Sequence, residues 1–247
     1  ECTSPMQYPI DGVLFARSYC DPDIFLGVED KFYYNKKGTF IDRSNRSGIG
    51  RYKLRGMGVV TGDVDDDGDT DVYVANDKDM NLLFINNGKG RFTESAMITG
   101  TGYNGNGLAE AGMGVDLGDI DRDGHLDIYV TNYSGETNTL YHNRGQGLFI
   151  DETNERGLGK PSIHFLAFGT KFADLNLDGW LDIFVGNGHV IDNINLFNEQ
   201  YEHSQHNQIY TNGSGIYRDK TLNIGGDMLD KAVSRGVASV DIDNDGD

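Results

Sequence analysis

Short apolar runs alternate along the whole chain with acidic loops and Asn/Gly turns. None reaches the roughly 18 residues that a membrane span needs. After each acidic loop the apolar residues are consecutive, as at 72–74, 128–130 and 183–185. A strand that is apolar at consecutive positions is covered on both faces, so we predict that these strands lie between neighbouring layers. No segment of about ten residues between the strands has helical periodicity, which argues against a parallel α/β fold.

The same pattern occurs repeatedly: strand, acidic loop, strand, loop, strand, Gly turn, strand. The acidic loops begin at Asp63, Asp119, Asp174 and Asp241, which are 56, 55 and 67 residues apart. A repeat of this length is typical of propellers, solenoids or arrays, and four strands per repeat indicate a propeller blade. We therefore predict an all-β fold, a β-propeller with four-stranded blades, of which this chain holds about four and a half.

The repeats also divide the chain into segments. An orphan copy of the second half of a blade, at residues 31–49, precedes the first full unit. The predicted segments are an insertion plus partial blade at 1–49, blades at 50–100, 106–158 and 162–222, and the start of a truncated blade at 229–247. Because the repeat is open at both ends, we expect 1–247 to belong to a longer protein.

The motif of the acidic loops is D-x-D-x-D-G-x-x-D, with positions numbered 1 to 9 from the first Asp of each loop. Oxygen donors at positions 1, 3, 5 and 9 converge when the chain turns tightly at the position-6 glycine, and position 7 contributes its backbone carbonyl. A site made of oxygen donors rich in carboxylates favours Ca²⁺ over Zn²⁺. The predicted calcium ligands are Asp63, Asp65, Asp67, Asp69 and Asp71 in loop 1; Asp119, Asp121, Asp123, His125 and Asp127 in loop 2; Asp174, Asn176, Asp178, Trp180 and Asp182 in loop 3; and Asp241, Asp243, Asp245 and Asp247 in loop 4.

The main alternative for these loops is the EF-hand, which needs a bidentate Glu at position 12 on an exiting helix. Position 12 is Val74, Val130 or Val185, each within an apolar run, so we reject that interpretation. The other alternative is an acidic turn without metal, and the repetition of complete loops in register argues against it. Asn176 replaces a carboxylate at position 3, so loop 3 is expected to bind calcium more weakly.

Charge and the repetition of the loops bear on function. With 21 Lys and Arg against 39 Asp and Glu, the net charge is −18, which disfavours binding to nucleic acid or an anionic membrane surface. Paired carboxylates also occur in glycosidases, but a catalytic pair occurs once, whereas these recur in every blade. We identify no catalytic or cofactor-binding residues and expect a protein that is not an enzyme.

Cysteines and sequons give weaker predictions. In an extracellular protein Cys2 and Cys20 pair as a disulfide, whereas in a cytosolic chain they are two free thiols; calcium loops of this type favour the extracellular case. Three N-x-S sequons, at Asn45, Asn132 and Asn212, are candidate glycosylation sites.

The repeat resembles the FG-GAP/VCBS blade of integrin α-chain propellers and of many bacterial secreted proteins. Longer segments are similar to the cartilage acidic protein/ASPIC–UnbV family of propellers: residues 102–124, 135–143, 186–194 and 204–212, and the stretch at 2–35 that looks like that family's insertion. The resemblance covers essentially the whole chain. It implies a propeller of seven blades, followed by a C-terminal ASPIC domain.

These observations favour a secreted, calcium-binding, non-enzymatic module for interaction, adhesion or scaffolding. We expect a protein or glycan partner to contact the long loops at 97–111, 133–138 and 186–207, and self-association into an oligomer or larger assembly is compatible with this function. The alternative is a propeller-based enzyme or accessory protein acting on carbohydrate or a secondary metabolite. It requires a single, non-repeated cluster of catalytic groups, which the sequence does not contain.

Overall fold

The computed structural model of the chain describes residues 6–10 and 14–243, with side chains from residue 19 onward. The part before the first blade forms three two-stranded antiparallel sheets. These pair β1 (Met6–Ile10) with β2 (Leu14–Ser18), β3 (Val28–Glu29) with β6 (Lys53–Leu54), and β4 (Tyr33–Lys36) with β5 (Thr39–Asp42).

Three four-stranded antiparallel sheets follow, and in each the strands pair in chain order. Blade 1 contains β7 (Gly56–Gly62), β8 (Asp71–Asn76), β9 (Leu82–Asn86) and β10 (Phe92–Glu94). Blade 2 contains β11 (Val115–Gly118), β12 (Asp127–Val130), β13 (Thr139–Asn143) and β14 (Phe149–Asp151). Blade 3 contains β15 (Ala167–Ala173), β16 (Asp182–Asn187), β17 (Gln208–Gly213) and β18 (Ile216–Asp219). The predicted all-β fold with four-stranded blades is confirmed.

A single turn of helix follows the fourth strand of every blade, which the sequence pattern did not predict. The turns are α1 (Ser44–Ser47), α2 (Ala96–Thr99), α3 (Gly159–Ser162) and α4 (Thr221–Ile224). Because α1 follows β5 in the same way, the β4–β5 hairpin corresponds to the outer two strands of a blade. Four 3₁₀ turns complete the described elements: Pro22–Ile24, Ile49–Arg51, Ile194–Leu196 and Gly226–Leu229.

The core lies between blades. Tyr73 of blade 1 packs in one cluster with Ile128 and Tyr141 of blade 2. Tyr129 of blade 2 packs in a second cluster with Val185 and Tyr210 of blade 3. Since the blades bury their apolar faces against one another, the stability of each blade depends on its neighbour. The predicted double-sided burial of the second strand is confirmed, because every residue of β12 is buried and β8 and β16 each have only one partly exposed residue.

The innermost strands β7, β11 and β15 lie side by side and approach closely at glycines. A Cβ on Gly58 would lie 2.6 Å from the carbonyl oxygen of Met113, and one on Gly114 would lie 2.0 Å from that of Phe168. Both glycines occupy the same place in the repeat. Any side chain there would displace backbone, so the close approach of the blades near the axis requires glycine.

No helix among the described residues is long and apolar enough to cross a membrane.

Candidate metal centre

The first carboxylate of each loop organises its turn. In loop 1, Asp63 accepts hydrogen bonds from the backbone N–H groups of Asp67 at 3.1 Å and Gly68 at 2.9 Å. Asp119 and Asp174 accept the equivalent pair in loops 2 and 3. The glycine at position 6 is left-handed, with φ of 88° at Gly68, 91° at Gly124 and 84° at Gly179. The tight turn that the motif predicted is therefore present in all three loops.

The position-9 carboxylate is a buried connection as well as a candidate ligand. Asp127 is fully buried and accepts hydrogen bonds from the backbone N–H of Ile120 at 3.0 Å and of Asn143 at 2.8 Å. Asp71 and Asp182 make the same two contacts in their blades. This side chain therefore joins the start of its loop to the third strand of the sheet, a role that the motif alone did not reveal.

The position-3 carboxylates show that the loops fit a cation. In loops 1 and 2, one buried oxygen of this residue, Oδ1 of Asp65 and of Asp121, has no hydrogen-bond partner. Ligand oxygens of Asp63, Asp65 and Asp71 all lie within 4.8 Å of one another, and the first three acids of loop 2 form a similar group. A buried carboxylate oxygen without a donor is costly unless a cation faces it, so this donor set suits a hard divalent ion.

Burial disfavours the ionised form of the position-9 carboxylates. Burial, with a smaller contribution from the charges of Asp121 and Asp123, raises the pKa of Asp127 to about 7. Burial likewise raises the pKa of Asp71 and of Asp182. A bound divalent cation would offset this cost by stabilising the ionised carboxylates.

Loop 3 differs at position 3, as predicted. The side-chain oxygen of Asn176 accepts a hydrogen bond from the backbone N–H of Asp178 at 2.9 Å. This oxygen therefore already has a partner and carries no charge. Both features support weaker binding of a cation in loop 3 than in loops 1 and 2.

Replacing Asn176 by Asp should raise the calcium affinity of loop 3 roughly tenfold, because affinity in such loops follows the number of charged ligands. The chain has one tryptophan, Trp180, which lies in this loop, so its fluorescence during a calcium titration reports the site directly. Asp65→Asn, the reverse change in loop 1, should leave the fluorescence midpoint much less affected. If Asn176→Asp left the midpoint unchanged, position 3 would not be a ligand.

The EF-hand alternative does not fit the structure. The position-12 residues Val74, Val130 and Val185 are 6%, 1% and 0% exposed within strands β8, β12 and β16. None can reach back to the loop as an exiting helical carboxylate would.

The remaining predicted ligands are placed as follows. At position 7, whose backbone carbonyl is the predicted donor, His125 and Trp180 direct their side chains to the preceding loop. Asp241 and Asp243 of loop 4 are exposed, whereas Asp245 and Asp247 lie outside the described residues. Loop 4 therefore stays a prediction.

Two of the three sequons are not accessible in this fold. Asn132 is 1% exposed and Asn212 is 4% exposed, and the side-chain N–H₂ group of each donates hydrogen bonds within the core. A glycan on either asparagine would require the blade to unfold, so the prediction of glycosylation at Asn132 and Asn212 is wrong for this fold. Asn45 is exposed and stays a prediction.

The structure describes only one of the two cysteines of the predicted disulfide. Cys20 does not carry a free thiol. Cys2 lies outside the described residues, so its pairing with Cys20 stays a prediction.

Sequence reasoning missed a set of asparagines that repeat with the blades. Asn143, at the end of β13, donates from its side chain to the backbone oxygen of Val64 in loop 1 at 2.8 Å, and Asn212 donates to that of Ile120 in loop 2 at 2.9 Å. The signal was present in the sequence, since an Asn is the last or the penultimate residue of the third strand in each of blades 1 to 3. Its meaning depends on the neighbouring blade, which the sequence pattern does not show.

A buried acid, Glu110, was also missed. Its carboxylate accepts hydrogen bonds from the side chains of Asn104 at 3.0 Å, Asn132 at 3.1 Å and Thr139 at 2.5 Å. Burial raises its pKa to about 7. These contacts fix the long loop before β11 to Asn132, just after β12, and to Thr139 in strand β13.

Ser134 and His189 are close but are not arranged as a nucleophile and its base. Their side chains are 3.2 Å apart and both are buried. However, His189 Nδ1 accepts a hydrogen bond from the backbone N–H of Ile191 at 3.0 Å. A neutral ring that accepts at Nδ1 carries its proton on Nε2, so it donates to Ser134 and cannot take the serine proton.

A cavity of about 1100 Å³ lies at the end of the blades opposite the acidic loops. Met57, Met113, Phe168 and Arg235 line it from the start of the innermost strand of successive repeats. The segment at 190–197 adds apolar side chains, and the N-terminal segment adds Tyr19–Pro22. The predicted contact loop at 186–207 therefore forms part of the wall of this cavity.

The family model described as an FG-GAP-like repeat matches residues 63–130 and 119–185. Cartilage acidic protein 1 is similar to this chain in three species. The mouse protein is 40% identical over 77 residues, which is 31% of this chain and 12% of that protein. The human protein is 41% identical over 76 residues, covering 31% and 11%. The Xenopus tropicalis protein is 26% identical over 177 residues, covering 70% and 26%.

The matched region therefore spans about a quarter or less of these curated relatives. Among solved structures, a lectin from Agrocybe aegerita, studied for its specific recognition of non-reducing terminal N-acetylglucosamine, has a TM-score of 0.41 and 17% identity. That match covers 78% of this chain and 60% of the lectin chain.

Proposed function

We propose that this chain, which contains FG-GAP-like repeats and is similar to cartilage acidic protein 1, is a secreted, calcium-stabilised interaction module without catalytic activity. The proposal rests mainly on loops 1 and 2. In each of them carboxylate oxygens lie close together, and one buried oxygen of the position-3 aspartate has no hydrogen-bond donor. The name of the relatives refers to cartilage, a tissue rich in extracellular matrix, and extracellular calcium concentrations suit sites of this type, which supports the proposal.

Calcium would be held by the side chains at positions 1, 3, 5 and 9 of each loop and by the carbonyl at position 7. The ion supplies positive charge that offsets the repulsion among the carboxylates, which otherwise opposes closure of the loop. The protein's own contribution is to orient the carboxylates through backbone N–H donors, as at Asp63 and Asp127. Binding therefore stabilises the folded blades.

A protein or glycan partner would contact the face opposite the loops. Its cavity combines thioether and aromatic side chains with the guanidinium of Arg235, which lies 4.2 Å from the ring centroid of Phe168. Leu196 and Val190, from the long loop, are 50% and 38% exposed at its rim. Apolar side chains exposed beside a cavity are typical of a contact surface. If the partner is a second copy of this chain, it would bind through the same face and form a homo-oligomer.

Leu196→Asp should abolish retention of the partner by the immobilised chain in calcium, measured with native extracellular extract and with a glycan array. Leu222→Asp is the matched control, because Leu222 is 75% exposed in α4, outside the predicted contact loops, and does not line the cavity. Equal retention by the two variants would rule out this face. Light scattering on the same samples distinguishes self-association, and turnover of a carbohydrate on the array would instead favour the enzyme alternative.

A further inference from the structure

Loops 1 and 2 each contact the following blade through consecutive positions. The backbone carbonyl at position 2 accepts a hydrogen bond from an asparagine side chain of the next blade, at Val64 from Asn143 and at Ile120 from Asn212. All four residues are buried. The residue between two predicted ligands is therefore fixed by a strand of another blade.

At position 3 the next blade approaches through the turn between its third and fourth strands. A Cβ built on Gly147 of blade 2 would lie 3.1 Å from Cβ of Asp65, and one on Gly215 of blade 3 would lie 3.3 Å from Cβ of Asp121. These aspartates are the predicted ligands whose buried oxygens lack a donor. The next blade thus lies directly against the candidate ligand.

At position 4 a side chain reaches position 7 of the next loop. Asp66 of loop 1 contacts His125 of loop 2, with Oδ2 and Nδ1 2.6 Å apart. Arg122 of loop 2 lies over the ring of Trp180 in loop 3, with Cζ 4.1 Å from the ring centroid. The two pairs have different chemistry but occupy the same places in the repeat. Position 7 is the residue whose backbone carbonyl is predicted to bind calcium in the next loop.

Loop 2 has an additional connection. Arg156 donates a hydrogen bond to the carboxylate of Asp121 at 3.0 Å and another to the backbone oxygen of Gly215 at 3.0 Å. One guanidinium therefore binds a predicted ligand in blade 2 and the turn of blade 3 that covers it.

From these repeated contacts we infer that the loops of adjacent blades are coupled, so that a cation bound in one loop raises the affinity of the next; this inference rests on the proposed function. Without a cation, the mutually repelling carboxylates loosen positions 2 to 4. Those positions are also the surface on which the next blade docks. Docking holds the position-7 residue of the next loop, and with it a carbonyl ligand of the next site.

The direction of the change in affinity distinguishes coupling through docked blades from direct repulsion between the two bound cations. Two bound cations repel each other, so charge alone makes a filled loop weaken its neighbour. Coupling through docked blades has the opposite sign. Thermodynamic couplings between sites commonly correspond to 5- to 150-fold changes in affinity, about 1–3 kcal/mol.

The position of Trp180 makes the coupling measurable in the full chain. With selective excitation of its one tryptophan, luminescence from bound Tb³⁺ reports loop 3. Asp123→Asn should weaken cation binding in loop 2, because it removes one of four carboxylates, while keeping the hydrogen bond that Asp123 accepts from the His125 N–H. Loop 2 is then less filled at the midpoint of loop 3, so we expect Tb³⁺ binding in loop 3 to weaken severalfold. Asp67→Asn, the same change in loop 1, should have a smaller effect because it lies two blades away.

The variant Arg122→Asn tests whether the contact between Arg122 and Trp180 transmits the coupling from loop 2 to loop 3. Asn accepts the left-handed backbone at this position, where φ is 63°. In that background Asp123→Asn should change the affinity of loop 3 much less, because the contact that holds position 7 of loop 3 is lost while those at positions 2 and 3 remain. Far-UV circular dichroism confirms that each variant is folded, and Ca²⁺ competition confirms the Tb³⁺ result. Unchanged or tighter binding in loop 3 after Asp123→Asn alone would overturn the inference. Absence of Tb³⁺ and Ca²⁺ binding in the unaltered chain would instead overturn the proposed function.

Discussion

Removal of calcium with EDTA should lower the melting temperature of this protein by about 10–30 °C. Sites with Kd of about 10⁻⁴–10⁻³ M, saturated at 10 mM Ca²⁺, each stabilise the folded state by about 1.4–2.7 kcal/mol. In a chain of 247 residues each kcal/mol shifts the melting temperature by about 2–4 °C. The three complete loops together account for the expected range. Differential scanning calorimetry with and without calcium measures it.

The control for this experiment is Mg²⁺, which demands a smaller octahedral site and keeps its waters. Magnesium at the same concentration should restore little of the lost stability, whereas added calcium should restore all of it. A melting curve that does not change with EDTA would contradict calcium binding in the loops.

Gly114→Ala should destabilise the protein by about 3 kcal/mol or more, which corresponds to a fall of about 6–12 °C in melting temperature. The added Cβ would lie 2.0 Å from the carbonyl oxygen of Phe168. That neighbour is backbone and cannot rotate away, so β11 and β15 would have to separate. Urea unfolding in saturating calcium measures the change in free energy.

Gly213→Ala is the matched control, because Gly213 is also a glycine without a left-handed backbone, at the end of strand β17. A Cβ there would lie 3.8 Å from the carbonyl oxygen of Ile216, which is an ordinary van der Waals contact, so we expect a change within about 0.5 kcal/mol. Equal destabilisation by the two substitutions would show that the cost comes from glycine's backbone freedom rather than from the approach of the strands.

The sequence predicted the blades because their signals are local. The strand at 183–185 is apolar at consecutive positions, and the structure buries Ile183 and Val185 completely. The one-turn helices such as α2 could not be predicted, because four residues are too few to show helical periodicity. The total number of blades in the protein stays a prediction.

For the site, the sequence indicated the candidate ligands but not their surroundings. A motif places Asp121 at position 3, but it does not reveal that Arg156 holds its carboxylate. The Asp66–His125 contact joins residues 59 positions apart in different blades, and no local pattern encodes it. The sequons failed for a related reason: N-x-S specifies the acceptor residue, and the fold decides that Asn212 is buried.

The contacts between position 4 of one loop and position 7 of the next also specify the order of the blades. Near-identical repeats can dock in the wrong order during folding, because their buried faces are interchangeable. An acid facing a histidine and an arginine facing a tryptophan are different pairs, so exchanging blades 2 and 3 would place Asp66 against the indole and Leu177 against His125. Each correct neighbour is thus distinguished by an attractive contact that the wrong one lacks.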